Sequence, residues 1–179
     1  METPLVERTV RGMPSVPPQD PDRPGGFEAV RQTLDTWRVD YAIVRHEAAG
    51  SALEHALASG LPACRWVETL GVWAHGHLHV VAFRATQRLD MRRVRNVLGD
   101  PAARLASLPE LARELPDLDA GALPPFGPPA PPLALIDRRV LSSSWVLANG
   151  GDHRHSLRVS PLEIVRLSRA RVVDIADGG

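Results

Sequence analysis

Histidines are the first residues of this sequence whose type and spacing could support chemistry. His75, His77 and His79 alternate along the chain, and alternate residues of a strand share a face, where imidazoles could ligate a metal. Gly76 is expected to turn a hairpin there, and no carboxylate follows at ligand spacing, so exposed hairpin histidines are favoured. We therefore predict no metal and no cofactor, and a metal-dependent hydrolase stays a third interpretation.

His46 and Glu47 begin like the His-Glu-x-x-His motif of zinc proteases, but position 50 is glycine, which excludes that motif. His46 is predicted to end a strand and to precede a helix, a position that can face a cleft. A structural or cleft-lining role is favoured over that of a catalytic base. The sequence contains no G-x-S-x-G elbow, no phosphate-binding glycine loop and no paired-cysteine motif.

The most distinctive segment is the proline-dense loop 121–132, which contains Gly-Ala-Leu-Pro-Pro-Phe-Gly over residues 121–127. Glycine permits backbone angles that are closed to other residues, and proline removes amide donors and stiffens the chain. Such a loop can present backbone carbonyls and amides to a ligand in a fixed geometry. A rigid connector is the alternative, and composition alone leaves both open.

Arginine supplies all 21 basic residues, so no lysine amine is available as a nucleophile or general base. Residues 84–95 contain five arginines and one acid, a local charge of +4, and residues 153–171 have the same balance. Such patches suit phosphate contacts, whose affinity is electrostatic and falls with salt, although a solvated helix face is the alternative. The four tryptophans are interpreted as core residues rather than as stacking platforms: Trp37, Trp66, Trp73 and Trp145.

Length and composition indicate one ordinary globular domain. The 179 residues carry 21 arginines and 21 acids, so no global field attracts nucleic acid or membrane, and a polyanion must be held by a local patch. The single Cys64 excludes an internal disulfide and fits a reducing compartment. No apolar run approaches the roughly 20 residues of a membrane span. We therefore expect a soluble, cytoplasmic protein.

Hydrophobic periodicity outlines the elements that must position these residues. Helices are predicted over 27–39, from Ser51 to Gly60, and over 91–98, 108–115 and 161–169. Strands are predicted over 41–45, 65–74, 78–85, 133–137, 144–148, 156–160 and 172–175. Their irregular alternation, with hairpins as well as crossovers, predicts an α+β fold with a mixed sheet. Residues 1–26, with six prolines, are predicted to form a flexible arm, and residues 177–179 a short tail.

The order of the pieces over residues 27–176 resembles the YbaK/EbsC family of aminoacyl-tRNA deacylases, which also occurs as the editing insertion of bacterial prolyl-tRNA synthetases. Each piece is weak alone, and the order makes the signal specific. The matching pieces are Phe27-Glu-Ala-Val30, Tyr41 to Glu47, Ser51 to Ala58, Val67-Glu-Thr-Leu70, Arg88-Leu-Asp90, Arg104-Leu-Ala-Ser107, Gly121 to Gly127, Leu135-Ile-Asp137 and Asn149-Gly150. The resemblance implies one domain with a curved, barrel-like mixed sheet surrounded by helices.

The same resemblance implies a free-standing trans-editing enzyme that hydrolyses the ester between a wrong amino acid and the 3′ adenosine of tRNA, usually tRNA for proline. A synthetase pocket gains only about 1–3 kcal/mol from one methylene, so small amino acids enter a proline site and must be removed afterwards. In the family, backbone atoms of the glycine–proline loop position the ester and a water, and a substrate ribose hydroxyl assists. The implied partners are the aminoacylated 3′ end of tRNA and an aminoacyl-tRNA synthetase, with no membrane.

Carried over position by position, the resemblance assigns catalytic roles to Gly121, Pro125 and Glu68. The substrate-binding candidates are His46, Phe126, Gly127, Asp137, Asn149 and Gly150, and the tRNA-binding candidates are Arg88, Arg92, Arg93 and Arg95. A loop with this role requires a hollow beside it large enough for an aminoacylated nucleoside.

Glu68 departs from the family, which has lysine within a Val-Lys-Thr-Leu pattern. Arg65 is no obvious substitute, because an offset of three on a strand points to the opposite face. Glu68 could pair with the α-ammonium group of the substrate and so change selectivity. The alternative is a catalytically impaired tRNA- or synthetase-binding module.

Overall fold

The computed structural model describes residues 25–48, 54, 56, 60–126, 130, 131 and 133–178. The first 24 residues of the predicted arm lie outside these ranges, as does most of the helix predicted to begin at Ser51, although positions 54 and 56 are helical. Gly127, a predicted site residue, also lies outside the described residues.

Four α-helices lie in the described part of the chain: α1 (Gly26–Thr36), α2 (Met91–Leu98), α3 (Leu108–Glu114) and α4 (Pro161–Ser168). Val30 of α1 is fully buried, as the spacing of apolar residues predicts. The carboxylate of Asp90 caps α2 by accepting hydrogen bonds from the amides of Arg92 and Arg93, and Gly99 ends the helix at a φ of +72°. These four predicted helices are confirmed to within a few residues at each end.

The strands of the described part form three sheets. They are β1 (Tyr41–Arg45), β2 (Val67–Ala74), β3 (His77–Arg84), β4 (Arg88–Leu89), β5 (Arg104–Leu105), β6 (Leu133–Asp137), β7 (Val146–Asn149), β8 (His155–Val159), β9 (Arg171–Val173) and β10 (Ala176–Asp177). The largest sheet has the order β5-β2-β3-β6-β9, antiparallel from β5 to β3 and parallel from β3 to β9. The antiparallel sheets β1-β8-β7 and β10-β4 complete the fold.

The predicted α+β class with a mixed sheet is confirmed, and the described strands of the expected barrel-like sheet form no closed barrel. The two larger sheets meet at one isolated parallel bridge between Trp66 and Leu147, which sets the start of β2 beside β7. Along β2, β3 pairs with the whole strand on one edge, while β5 pairs with Val72 and Trp73 on the other edge. Only the first residues of β2 are left to meet β7.

The predicted hairpin around Gly76 is confirmed. His75 and Gly76 form its turn with φ values of 51° and 77°, which suit the twist of a tight hairpin. The amide of His75 donates a 2.6 Å hydrogen bond to Asp100, while His77 is exposed and His79 is half-buried. Within the described ranges no group of three or more histidines, cysteines or acids could hold a metal.

The two faces of β2 pack against different parts of the core. Val67 belongs to the largest apolar cluster, whereas Val72 packs with Val94 of α2. Trp66 is fully buried in a third, smaller cluster with Leu147 and Ala56, at the beginning of β2. Because alternate residues share a face, Trp66 and Val72 lie on the same face of β2.

The prediction that all four tryptophans belong to the core holds only for Trp66. Trp73 and Trp145 are half-buried, and the side chain of Trp37 is 47% exposed because it follows the last turn of α1. No helix in the described part of the chain has the length and apolar character needed to cross a membrane.

Candidate functional site

His46 is fixed by both ring nitrogens at the end of β1. Its Nδ1 lies 2.9 Å from the carbonyl oxygen of Glu47, and its Nε2 lies 2.9 Å from the hydroxyl oxygen of Ser156 in β8. The ring also meets the edge of Trp66, with 6.1 Å between the ring centroids. Ser156 is fully buried, so the imidazole is held against the sheet in one orientation.

Asn149, at the end of β7, connects this strand to the glycine–proline loop. It pairs in register with Ser156, and only 1% of it is exposed. Its Nδ2 donates a 3.3 Å hydrogen bond to the carbonyl oxygen of Leu123, while its Oδ1 has no hydrogen-bond partner within the described ranges. The loop that begins at Gly121 is therefore attached to the strand next to His46.

Glu68 of β2 lies on the side of the sheet that also carries Asn149. It is half-buried and lies opposite Phe83 of β3. Since alternate residues share a face, Glu68 lies on the face of β2 that carries Trp66, and Asn149 lies on the face of β7 that carries Leu147. The parallel bridge between Trp66 and Leu147 places these two faces side by side. The carboxylate of Glu68 thus lies on the face beside Asn149, at the position where the resemblance expects lysine.

The glycine–proline loop turns at Gly121, whose φ of +94° is strained for any residue with a side chain. The amide of Ala122 donates to the carbonyl of Asp119 at 2.9 Å, which closes the turn. Pro125 is buried and Phe126 is fully buried in the largest apolar cluster. The predicted catalytic and aromatic residues of the loop are therefore packed into the protein rather than extended from it.

A cavity of about 10 Å³ lies between Gly121 and the end of α3. Its volume matches roughly one water molecule. The cavity is lined by Leu111, Leu115, Leu118, Asp119, Ala120, Gly121 and Leu123. This cavity is therefore too small to be the hollow expected for an aminoacylated nucleoside.

Gly150 follows Asn149 in a tight turn. Its amide donates a 3.0 Å hydrogen bond to the carbonyl oxygen of His155, and a Cβ at this position would lie 2.7 Å from that oxygen. The ring of His155 stacks on Phe27 of α1 at 4.0 Å. Close packing of backbone therefore requires glycine at position 150.

Asp137, at the end of β6, has a structural role. It is fully buried, and its carboxylate accepts hydrogen bonds from the amides of Arg139, Ile175 and Ala176 at 2.9, 2.9 and 3.1 Å. The guanidinium of Arg139 lies 3.3 Å away. These contacts attach the C-terminal strands to the large sheet, and they occupy both oxygens of the residue predicted to bind substrate.

The four arginines predicted to bind tRNA differ in how much charge they offer. Arg93 forms ion pairs with Asp90, Asp174 and Asp177 at 3.3, 2.8 and 2.8 Å, so its charge is neutralised within the fold. Arg92 and Arg88 are exposed, and the Nε of Arg95 donates to the carbonyl of Ala103 at 2.9 Å. An open hollow of about 370 Å³ lies at the C-terminal half of α2 and is lined by Arg92, Arg95, Asn96, Gly99 and Pro101.

Sequence reasoning missed two participants, Ser156 and the carbonyl of Leu123. A serine within a strand carries no signal of its own, and only the register of Asn149 against Ser156 brings it to His46. The loop is predicted to present backbone carbonyls, but only the fold shows that the carbonyl of Leu123 is the one bound by Asn149.

The model of the aminoacyl-tRNA editing domain family matches residues 46–167, from His46 to the last turns of α4. The chain belongs to this family. The match covers more than half of the chain and includes His46, Glu68, the glycine–proline loop, Asn149 and Ser156. It confirms the YbaK-type resemblance drawn from the residues.

Solved structures share the fold of this editing domain. One is a candidate trans-editing enzyme for prolyl-tRNA synthetase, with 25% identity and a TM-score of 0.73, covering 90% of this chain and 100% of that one. Another is a scaffold protein with a computationally grafted epitope, at 25% identity and a TM-score of 0.73, covering 86% and 98%. A hypothetical protein matches at 25% identity and a TM-score of 0.71, covering 83% and 99%. No curated protein matches the sequence at a significant level.

Proposed function

We propose that this editing domain is a free-standing deacylase that hydrolyses the ester of misacylated tRNA, with tRNA for proline carrying a wrong small amino acid as its substrate. The observation that carries the proposal is the hydrogen bond from Asn149 to the carbonyl of Leu123. It holds the glycine–proline loop beside Ser156 and His46, so that backbone and side-chain groups converge at one place.

Ester hydrolysis here would be carried by positioned polar groups. Water attacks the carbonyl carbon, the acyl C–O bond breaks, and the departing ribose oxygen takes a proton, which leaves free amino acid and tRNA. Fixed dipoles aimed at the developing charge act most strongly where water is excluded, and Asn149 and Ser156 are both buried. The Oδ1 of Asn149, which has no hydrogen-bond partner among the described residues, is an acceptor suited to a ribose hydroxyl or an ammonium group.

Glu68 gives the site a preference for a positive group. A carboxylate forms charge-assisted hydrogen bonds with an ammonium, and every α-amino acid esterified to tRNA carries one. Its position on the face of β2 beside Trp66 and β7 supports contact with the amino-acid end of the substrate rather than with phosphate.

The body of the tRNA would lie across α2. Arg92 is exposed there and lines the 370 Å³ hollow together with Arg95, and Arg88 is exposed in β4, just before the helix. Guanidinium groups suit phosphate because they donate two parallel hydrogen bonds. An aminoacyl-tRNA synthetase would be the protein partner, and the cytoplasm, where tRNA is charged, the compartment.

A panel of mischarged tRNAs tests the proposal by release of labelled amino acid. We expect release from at least one misacylated tRNA, and loss of that release in Gly121→Ala. Gly76→Ala is the matched control, because Gly76 also has a positive φ, of 77°, and lies in open space in the β2–β3 turn. Release that Gly121→Ala leaves unchanged would contradict the role of the loop.

A binding module without catalysis is the second candidate function, and Glu68 is the observation that favours it. The family has lysine at this position, and a carboxylate reverses the charge. On this view tRNA binds through α2, and no member of the panel is hydrolysed by the wild-type protein. Hydrolysis of any one of them excludes it.

A further inference from the structure

We propose that Arg65, Trp145 and Arg158 form a phosphate-binding cluster for the single-stranded 3′ end of the tRNA. The guanidinium carbon of Arg65 lies 4.6 Å from the centroid of the Trp145 indole, and that of Arg158 lies 4.5 Å from it. Arg65 also donates a 3.2 Å hydrogen bond to the carbonyl oxygen of Trp145. The inference rests on the proposed function, since it names where that substrate is held.

No carboxylate of the described residues neutralises the charge of this cluster. In the part of the chain that the structure describes, neither Arg65 nor Arg158 has a carboxylate within ion-pair distance. Seven other arginines pair with acids: Arg31, Arg92, Arg93, Arg104, Arg113, Arg139 and Arg166. Two positive groups fixed against one ring therefore remain for an outside anion.

The geometry favours phosphate over a base. An aromatic ring that stacks with a base must present a free face, but guanidinium groups already lie against the Trp145 ring. A guanidinium stacked on an indole is also held in place, so that less entropy is lost when it binds a phosphate. The cluster thus offers fixed charge rather than a stacking platform.

The cluster lies next to the candidate site. Arg158 is two residues beyond Ser156 in β8, so both belong to one face, about 7 Å apart along the strand. Trp145 packs in the apolar cluster that contains Trp66 and Leu147. A phosphate bound by Arg158 would therefore lie only a short distance along the RNA from a terminal group held near Ser156 and His46.

The cluster and α2 also lie toward different ends of β2. Trp145 belongs to the cluster around Trp66, at the beginning of the strand, whereas α2 packs through Val94 against Val72 near its other end. Glu68 lies between these two residues of β2, on the same face. RNA that reaches from α2 to the cluster would therefore span the part of β2 that carries Glu68.

The test compares a tRNA that keeps its single-stranded 3′ end with the same tRNA lacking it. We expect the double variant Arg65→Gln/Arg158→Gln to bind the complete tRNA about tenfold more weakly. The slope of the logarithm of its binding constant against the logarithm of the salt concentration should be shallower by about 1.4, because each lost phosphate contact to a single strand contributes about 0.7. The shortened tRNA should bind the variant and the wild-type protein equally.

Arg38→Gln/Arg169→Gln is the matched control. Both residues are exposed, neither has a carboxylate within ion-pair distance in the described part of the chain, and the pair removes the same charge. The inference is overturned if the two double variants bind complete tRNA equally, or if the weakening persists with the shortened tRNA.

Deacylation by the same proteins separates the two proposals. If the wild-type protein releases no amino acid but the difference between the two tRNAs persists, the deacylase proposal fails and the cluster stands. If the cluster variant hydrolyses substrate with an unchanged KM, the cluster is overturned and the deacylase stands.

Discussion

The side-chain amide of Asn149 and the carbonyl oxygen of Leu123, 26 residues apart in the chain, are joined by a 3.3 Å hydrogen bond. Both residues are buried, and Asn149 is paired with Ser156, which in turn contacts His46. One amide therefore fixes the glycine–proline loop relative to the strands.

Asn149→Ala should uncouple the loop from β7. It leaves the buried carbonyl of Leu123 without this donor, which costs about 1–3 kcal/mol in the free energy of unfolding. Deacylation should lose at least about tenfold in kcat/KM, because displaced backbone dipoles no longer face the ester. Chemical denaturation and single-turnover kinetics measure the two effects. Gln32→Ala, which removes an exposed amide from α1, should change neither.

Glu68→Gln should lower kcat/KM for aminoacyl-tRNA by about 10- to 100-fold, the range of a lost charge-assisted hydrogen bond. The physical reason is the α-ammonium group, so N-acetylated substrate should show no difference between Glu68→Gln and the wild-type protein. Glu114→Gln, on the exposed side of α3, is the control. An equal loss with both substrates would show that Glu68 does not read the ammonium group.

Arg92 and Arg93 should separate RNA binding from stability. The side chain of Arg92 is 81% exposed. Its substitution by glutamine should weaken tRNA binding, and it should reduce by about 1 the slope of the logarithm of the binding constant against the logarithm of the salt concentration. Arg93→Gln breaks ion pairs to three acids, so it should lower the Tm and leave the slope unchanged. Salt titrations and thermal unfolding distinguish the two, and a reversed pattern would show that the ion pairs of Arg93 open on binding.

Asp174 should stabilise the fold in a pH-dependent way. Its hydrogen bond with Arg139 holds the pKa of the Asp174 carboxyl below its usual range. A carboxyl whose pKa is lowered by folding contributes stability above its unfolded pKa of about 3.9, and loses it as the pH falls through the folded pKa. The wild-type protein should therefore exceed Asp174→Asn in unfolding free energy at about pH 6, and this excess should shrink toward about pH 3.

Urea unfolding across this pH range measures the excess, and Asp40→Asn, on the exposed segment before β1, is the control. A difference between wild type and Asp174→Asn that stays constant down to about pH 3 would mean that the Arg139 contact does not stabilise the charged form.

The sequence predicts most of the elements because their signals are local. Val30 and its neighbours repeat at helical spacing, Asp90 and Gly99 mark the ends of α2, and Gly76 marks the hairpin. The two-residue strands β4, β5 and β10 were not predicted, since they are defined by their partners rather than by a pattern of their own.

The site is predictable only in part. His46, Glu68 and Asn149 follow from the family pattern, but their proximity depends on the bridge between β2 and β7 and on the register of β7 with β8. The contrast between Arg92 and Arg93 depends on tertiary contacts, because Asp174 and Asp177 approach α2 from the far end of the chain.

The most direct test of the central claim is hydrolysis of a mischarged tRNA in water enriched with ¹⁸O. A deacylase transfers one oxygen of water to the released carboxylate, so we predict singly labelled amino acid that appears at a rate proportional to protein concentration. The correctly charged tRNA should stay intact. Release from every mischarged tRNA that is no faster with protein than without it would contradict the account.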